Sequence, residues 1–219
     1  MTKTSRQQVA FTQMKNGTRE EYELLHKLEA PYHQGTAKRL LAELARQGDE
    51  TLEGYKISRL QHALQSATRA RRDGAESDWV VAALLHDIGD GLAPQNHDKF
   101  AAEIMRPFMR EEITWVVEHH GIFQMVYYAH HLGWDRELRQ KYADSPYYQA
   151  CVDFCERWDQ SSFDPDYPMD PLDSIAAEVE AVFARKAWDD QVVQAGVALG
   201  LPELRPCCRT LGYFTPVRE

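Results

Sequence analysis

Several large protein classes are excluded by what this sequence has little of. Its four cysteines form two close pairs, Cys151/Cys155 and Cys207/Cys208, a pattern unlike a disulfide framework and consistent with a reducing compartment. No apolar stretch approaches the roughly 20 residues that a spanning helix requires. The leading segment MTKTSRQQVAFTQMKN lacks the apolar centre of a secretory signal. Together these absences predict a cytoplasmic location. Positive charge is also short, with 25 Lys and Arg against 34 Asp and Glu and a net charge of −9. Phosphate attraction needs positive surface, so this balance argues against nucleic acid or an anionic membrane as a general partner. No repeat, low-complexity tract or strand pattern is visible.

What is present is helical periodicity. The chain has 219 residues, 43% of them hydrophobic, enough for one well-buried core and too few for two. Residues 1–17 carry no clear period. Leu and Ala recur at helical spacing from Glu20 to Leu28 and from Gly35 to Gln47, with Pro31 breaking the first run and Gly48 closing the second; both read as surface helices. Ser58 to Arg72 shows the stripe Leu60, Ala63, Leu64, Ala67, Ala70 with arginines opposite, and ends before Gly74. Ser77 is positioned to cap a segment that is apolar on nearly every side and delivers His86 and Asp87. A loop with Gly89, Gly91 and Pro94 leads to a helix starting near Asn96 or His97 and stopped or kinked by Pro107. The next helix runs into His119-His120 and is expected to end at Gly121. A helix after Pro146 leads into Asp159, the loop FDPDYPMDP follows, and a last helix spans about Leu172 to Ala187, before a tail with Pro202, Pro206 and Pro216.

The placement of the histidines suggests chemistry. His62, His86, His97 and His119 each fall on a packed helix or near a helix end, accompanied by Asp87 and Asp159. Imidazole with carboxylate suits iron, manganese or zinc, whereas calcium prefers oxygen alone and a thiolate site needs clustered cysteine. Adjacent residues on a helix diverge by about 100°. His86 and Asp87 therefore serve one centre together only if the helix end points into it and Asp87 bridges two metals. Burying six such groups without metal is costly. Between His119 and His120, the side shared with Trp115 and Val116 favours His119 as ligand and leaves His120 in a catalytic or substrate-facing role. Gln65, one turn past His62, is a candidate hydrogen-bond partner for the ligands. Cys151 and Cys155 read as buried small hydrophobes. The aspartates Asp164, Asp166, Asp170 and Asp173 read as a solvated turn, since their spacing fits no EF-hand and prolines interrupt it. His130 and His131 read either as groups that support the ligands or face the substrate, or as a solvated turn; His26 and His33 carry no signal.

The string His62, His86-Asp87, Asp159 resembles the HD-domain superfamily, over residues 55–160. That resemblance implies an all-α, single-domain helical bundle over 1–219, with its metal core at about 55–160 and the segments 18–50 and 170–219 packed on it. His97 and His119 resemble the additional ligands of the dinuclear branch. The segments ISRLQHALQSA, LLHDIGD, HDKFAAE, VVEHHGIF and ERWDQ are similar to the mixed-valent di-iron oxygenases, the group of myo-inositol oxygenase and the organophosphonate-cleaving enzymes. The resemblance implies two irons, Fe(II)/Fe(III), held by His62, His86, Asp87, His97, His119 and Asp159, with O2 and a small hydroxylated molecule as substrates.

The departures from that pattern bear on the substrate. Phosphohydrolases and inositol oxygenase often place Lys, and phosphonate oxygenases His, where this chain has Asp90. The phosphonate enzymes also carry a Tyr-x-Gly-Glu lead-in and a lysine four residues past the fourth histidine; the aligned residues here are Leu52, Gly54-Tyr55 and Phe123. A carboxylate at Asp90 repels phosphate and points instead to an amine, a quaternary ammonium or several hydroxyls. Phe123, Tyr127, Tyr128 or Trp158 would then be walls for a cation, and Arg157 a further substrate contact by family likeness. Two other readings stay open: a phosphohydrolase using Mn or Mg to activate water, and a metal-stabilised binding or sensor protein. Oligomeric state is not legible.

Overall fold

A computed structural model describes residues 7–49 and 53–203; Leu52, Pro206, Cys207, Cys208 and Pro216 lie outside the described residues. Every regular element among them is helical, as the periodicity predicts. Helix α1 (Arg19–Gln34) opens with a capping box in which Thr18 and Glu21 satisfy each other's backbone N–H groups. It passes through Pro31 rather than breaking there. The proline ring removes the partner of the Lys27 carbonyl, but α1 buries no residue and that carbonyl stays open to water. Helix α2 (Thr36–Arg46) follows directly and is more than a surface element, since Ala37, Leu40 and Leu44 are buried along one stripe.

Helix α3 (Arg59–Arg72) begins with a second capping box, Ser58 with Gln61, and ends before Gly74, which adopts φ +79°. Helix α4 (Ser77–Leu85) starts at Ser77 itself, with Glu76 in the capping position and no side-chain cap. It is buried all round: Val81, Ala82, Ala83, Leu84 and Leu85 have no exposed surface, and α3, α6 (Glu111–Tyr128) and α8 (Leu172–Phe183) pack around it. A helix apolar on every face has to be central, and α4 is the axle of this bundle.

Helices α5 (His97–Met105) and α6 (Glu111–Tyr128) pack side by side, and α7 (Tyr148–Phe154) lies against α6. The expected stop at Gly121 does not occur. A glycine costs a helix interior about 1 kcal/mol. Each large apolar side chain buried beyond it, here Phe123 and Val126, returns about 2 kcal/mol, so continuation wins. After α7 the chain widens into a π-helical turn, Cys155–Asp159, closed by the Gln160 N–H on the Cys155 carbonyl at 3.0 Å. Helix α8 (Leu172–Phe183) ends four residues short of the expected Ala187, and Trp188 beyond it turns back at φ +60° to donate its N–H to the Pro107 carbonyl at 2.8 Å.

The arginine side of α3 fixes the long loop before α8. Arg71 pairs with Asp170 at 2.7 Å and Glu178 at 2.8 Å, Arg72 donates to the Pro168 carbonyl at 2.6 Å, and the guanidinium of Arg69 lies 3.8 Å from the centre of the Tyr167 ring. The loop read as a solvated turn is thus strapped to the helix that carries His62. No described helix is long and apolar enough to cross a membrane.

Candidate metal centre

Five segments deliver six donors to one spot. His62 comes from the first turns of α3, His86 and Asp87 from the end of α4, His97 from the first residue of α5, His120 from the middle of α6 and Asp159 from the π-helical turn. The Nε2 atoms of His62 and His86 are 3.1 Å apart, and Asp159 Oδ1 lies 3.2 and 3.5 Å from them. Asp87 stands between this group and a second. Its Oδ2 is 3.5 Å from His62 Nε2 and 3.4 Å from His86 Nε2, while its Oδ1 is 3.3 Å from His97 Nε2 and 3.2 Å from His120 Nε2. One carboxylate oxygen thus faces each group, the disposition of a bridging ligand.

The hydrogen bonds on the far side of each ring decide what the near side can do. The Nδ1 of His62 faces the Ser162 carbonyl at 2.9 Å, that of His86 the Ala83 carbonyl at 2.8 Å, and that of His120 the Val117 carbonyl at 2.7 Å. A carbonyl only accepts, so each Nδ1 carries the proton, and in a neutral ring Nε2 presents a lone pair. The lone pairs of His62 and His86 then point at one another, and that of His120 at a carboxylate. Without a cation between them these contacts are repulsive. Asp159 Oδ2 is also buried with no hydrogen-bond partner, an expensive orphan unless an ion completes it. Ligands about 2.1 Å from a metal lie about 3.0–3.4 Å from one another, close to the spacings here. The donor set therefore fits a metal pair.

Protons stand in for metal when none is bound. Burial opposes charge on His62, His86 and His120, yet Asp159 and Asp87 outweigh it and raise all three imidazoles above their ordinary value. Burial likewise opposes charge on Asp87 and Asp159, and the surrounding imidazoles reverse this and hold both well below the usual carboxylate range.

Two lobes of a cavity open beside the cluster. The larger, 330 Å³, is walled by His97, His120, Gly121, Gln124, Tyr127 and Tyr128. The smaller, 120 Å³, is walled by Ile57, Ser58, Arg59 and Asp90. Tyr55, His62, Asp87 and Phe163 line both. The rings of Tyr55 and Phe163 stack at 5.9 Å, and Phe163 in turn stacks on His62 at 4.5 Å. Tyr127 donates its hydroxyl to Glu156 at 2.6 Å, and burial and that carboxylate raise its pKa, so it stays a neutral ring.

Several expected site residues lie elsewhere. His119 does not reach the cluster: its Nδ1 donates to the Trp115 carbonyl at 2.7 Å, and its ring is sandwiched between Trp115 at 4.1 Å and Tyr142 at 4.5 Å. Because α6 continues past Gly121, the two histidines project about 100° apart from mid-helix, and His120 takes the inward face. The residue four past the inward histidine is then Gln124, on the cavity wall, whereas Phe123 is fully buried among Trp115, Tyr142 and Tyr148. Trp158 is likewise in the core, and its Nε1 donates to Asp73 at 2.8 Å. Arg157 turns the same way, to Asp73 and the Pro202 carbonyl. Gln65 bonds the backbone of Asp164, holding the segment whose Ser162 carbonyl orients His62, rather than touching a ligand. Asp90 does line the cavity, but it is not a lone carboxylate: Oδ2 pairs with Arg59 Nη1 and Oδ1 lies 3.3 Å from His97 Nδ1. Arg59, one turn before His62 and on its face, joins the cavity wall although no motif in the sequence marks it.

The His, His-Asp and Asp donors come from α3, α4 and the turn after α7 of a helical bundle, and residues 59–159, the segment that carries them, match the HD domain family. Among curated proteins the chain is similar to the [1-hydroxy-2-(trimethylamino)ethyl]phosphonate dioxygenase (glycine-betaine-forming) of Leisingera caerulea. That match is 34% identical over 86 residues, covering 34% of this chain and 44% of the relative. It is also similar to the hydroxymethylphosphonate dioxygenase of Gimesia maris, 29% identical over 86 residues and covering 34% and 43%. The matches thus span less than half the length of these relatives.

Proposed function

We propose that this protein is a di-iron oxygenase acting on a small hydroxylated metabolite that bears an amine or quaternary ammonium. The observation that carries the reading is the single carboxylate, Asp87, with one oxygen toward His62 and His86 and the other toward His97 and His120, beside a cavity of metabolite size. The names of the similar proteins, both dioxygenases and one acting on a trimethylamino compound, support the same class. His62, His86 and Asp159 would hold one iron, His97 and His120 the other, and Asp87 would be the ligand they share. The iron pair, when bound, supplies O2 activation and removal of hydrogen from a substrate carbon. The protein's part is to aim that carbon at the cluster, exclude bulk water and keep each imidazole in the Nδ1–H form through the carbonyls of Ser162, Ala83 and Val117. Tyr55, Tyr127 and Tyr128 in the wall of the larger lobe offer π surface to a quaternary ammonium, a cation that cannot hydrogen-bond.

The test is iron analysis with EPR on the protein loaded under limited O2, followed by O2 uptake with aminoalcohols, quaternary amines, polyols and hydroxyphosphonates. A signal from an antiferromagnetically coupled Fe(II)/Fe(III) pair with substrate-dependent O2 uptake is expected. Phosphate release from phosphoesters with Mn or Mg, and no such signal, would instead establish the hydrolase reading, which the cation of Arg59 in the cavity wall keeps in contention.

A further inference from the structure

The smaller lobe carries a charge arrangement that neither the metal nor the ammonium site uses. Arg59 and Asp90 pair across its wall, with side chains 16% and 18% exposed. Both oxygens of Asp90 face cationic or N–H groups of the protein, Oδ2 the Arg59 guanidinium and Oδ1 His97 Nδ1 at 3.3 Å, which also has the Pro94 carbonyl at 3.2 Å. Arg59 is the opposite case. A guanidinium has five N–H donors, and Asp90 is the one partner Arg59 has among the described residues. Ser58 beside it accepts from the Gln61 N–H at 3.2 Å, and its own hydroxyl proton has no acceptor among the described residues although the residue is only 5% exposed. Unused donors of a fork and a hydroxyl, in the wall of a cavity that also reaches Asp87, are what an oxyanion requires.

We propose that Arg59 and Ser58 form an oxyanion subsite that takes the anionic group of the substrate, a phosphonate or a carboxylate, with Asp90 as the positioning residue that keeps the guanidinium in the wall. The inference rests on the oxygenase reading for what the anchored molecule undergoes, and makes the preferred substrate a zwitterion: anion on Arg59, cation on the aromatic wall. It also reverses the expectation that Asp90 excludes phosphonates, because the local charge of the pair is neutral before a ligand arrives and Arg59 retains donors for it.

Calorimetric titration of the metal-loaded protein with methylphosphonate and with acetate tests this. Arg59→Gln is expected to weaken methylphosphonate binding about tenfold or more with metal content unchanged, and Arg59→Lys to recover part of it as a point charge without the fork. Asp90→Asn keeps one acceptor to hold the guanidinium but removes the competing negative charge, and should tighten binding several-fold, an effect that a purely structural ion pair would not give. Acetate binding as tightly as methylphosphonate assigns the subsite to carboxylates, and a preference for methylphosphonate assigns it to phosphonates. Unchanged affinity in Arg59→Gln overturns the subsite; if that variant does not fold, an Asp90→Asn protein with full metal and no tightening does so. Arg59-dependent binding without a mixed-valent EPR signal supports the subsite and refutes the oxygenase reading, and the signal with Arg59-independent binding does the reverse.

Discussion

The two ends of the cluster are built to different standards. His62, His86 and Asp159 are 5%, 0% and 3% exposed, and each arrives on a braced element: the capped α3, the axle α4 and a π-helical turn. At the other end the side chains of Asp87 and His97 are 24% and 25% exposed, and His97 stands at the start of α5 after a loop. Only His120 there is deeply buried. The inner end is set deeper in the core, although His62 and Asp159 reach the cavity wall, and the outer end is the more open of the two. A metal at the first is expected to behave as a structural ion, and one at the second as an exchangeable ion that meets substrate.

The widest test of that contrast is to remove the shared ligand and then an outer one. Asp87→Ala is expected to lose both metals, because it supplies an oxygen to each group. His97→Ala should retain the inner metal and lose most of the outer. Metal analysis after gel filtration reads both, and full occupancy in Asp87→Ala would break the bridging assignment. Timed chelation of the intact protein should show the same order, with the outer metal leaving first.

The next effect is a reversal of sign with pH. In the metal-free protein the pKa values of His62, His86 and His120 are raised above their unfolded value of 6.5. Their contribution to stability is fully present below that value and is lost as pH rises through the folded values. Asp87 and Asp159 are lowered, so their contribution is lost only on strong acidification. Metal needs the imidazoles neutral and competes with protons, so its contribution grows over the same range. Between about pH 6 and 8 the Tm of the metal-free protein should fall and that of the metal-loaded protein should rise or hold. Parallel curves would mean that protons and metal do not share these donors.

A smaller effect tests the bracing of the inner end. Asp73, just past α3, accepts from Arg157 at 3.0 and 2.8 Å and from Trp158 Nε1 at 2.8 Å, tying down the π-helical turn one residue before Asp159. Asp73→Ala leaves the buried indole N–H without an acceptor and the Arg157 guanidinium with only the Pro202 carbonyl, and should cost about 2–3 kcal/mol. The inner metal should leave faster while His97 and His120 are untouched. Asp73→Asn keeps one acceptor and should lose less. Thermal melts with chelation kinetics separate the two, and equal release rates would show that the turn holds Asp159 unaided.

How far the sequence could be read follows the same divide. His62, His86, Asp87 and Asp159 sit on elements whose periodicity and capping are local, so the inner end was legible, as was the central burial of α4. The outer end depends on choices that local signals do not settle. Gly121 reads as a stop, and only the burial of Phe123 and Val126 carries α6 past it. Arg157 and Trp158 look like site residues because they precede Asp159, but the π-helical turn rotates them to Asp73. Arg59 was within reach, since i and i+3 share a helix face and His62 was already assigned. Its pairing with Asp90 is not legible in the sequence, because the two residues lie 31 positions apart on separate elements.

The smallest expected effect is also the sharpest on this boundary, because it compares adjacent residues. His119→Phe keeps a ring between Trp115 and Tyr142 and loses one hydrogen bond to the Trp115 carbonyl, a cost of about 1 kcal/mol. Metal occupancy should not change. His120→Phe presents a ring of similar size to the cavity but no lone pair toward Asp87, so the outer metal should be lost while the inner one remains. If His119→Phe lowered occupancy and His120→Phe did not, α6 would have to be rotated by about one residue, 100°, and Gln124 would leave the cavity wall with it. The pair of variants thus fixes the register of the helix as well as the identity of the ligand.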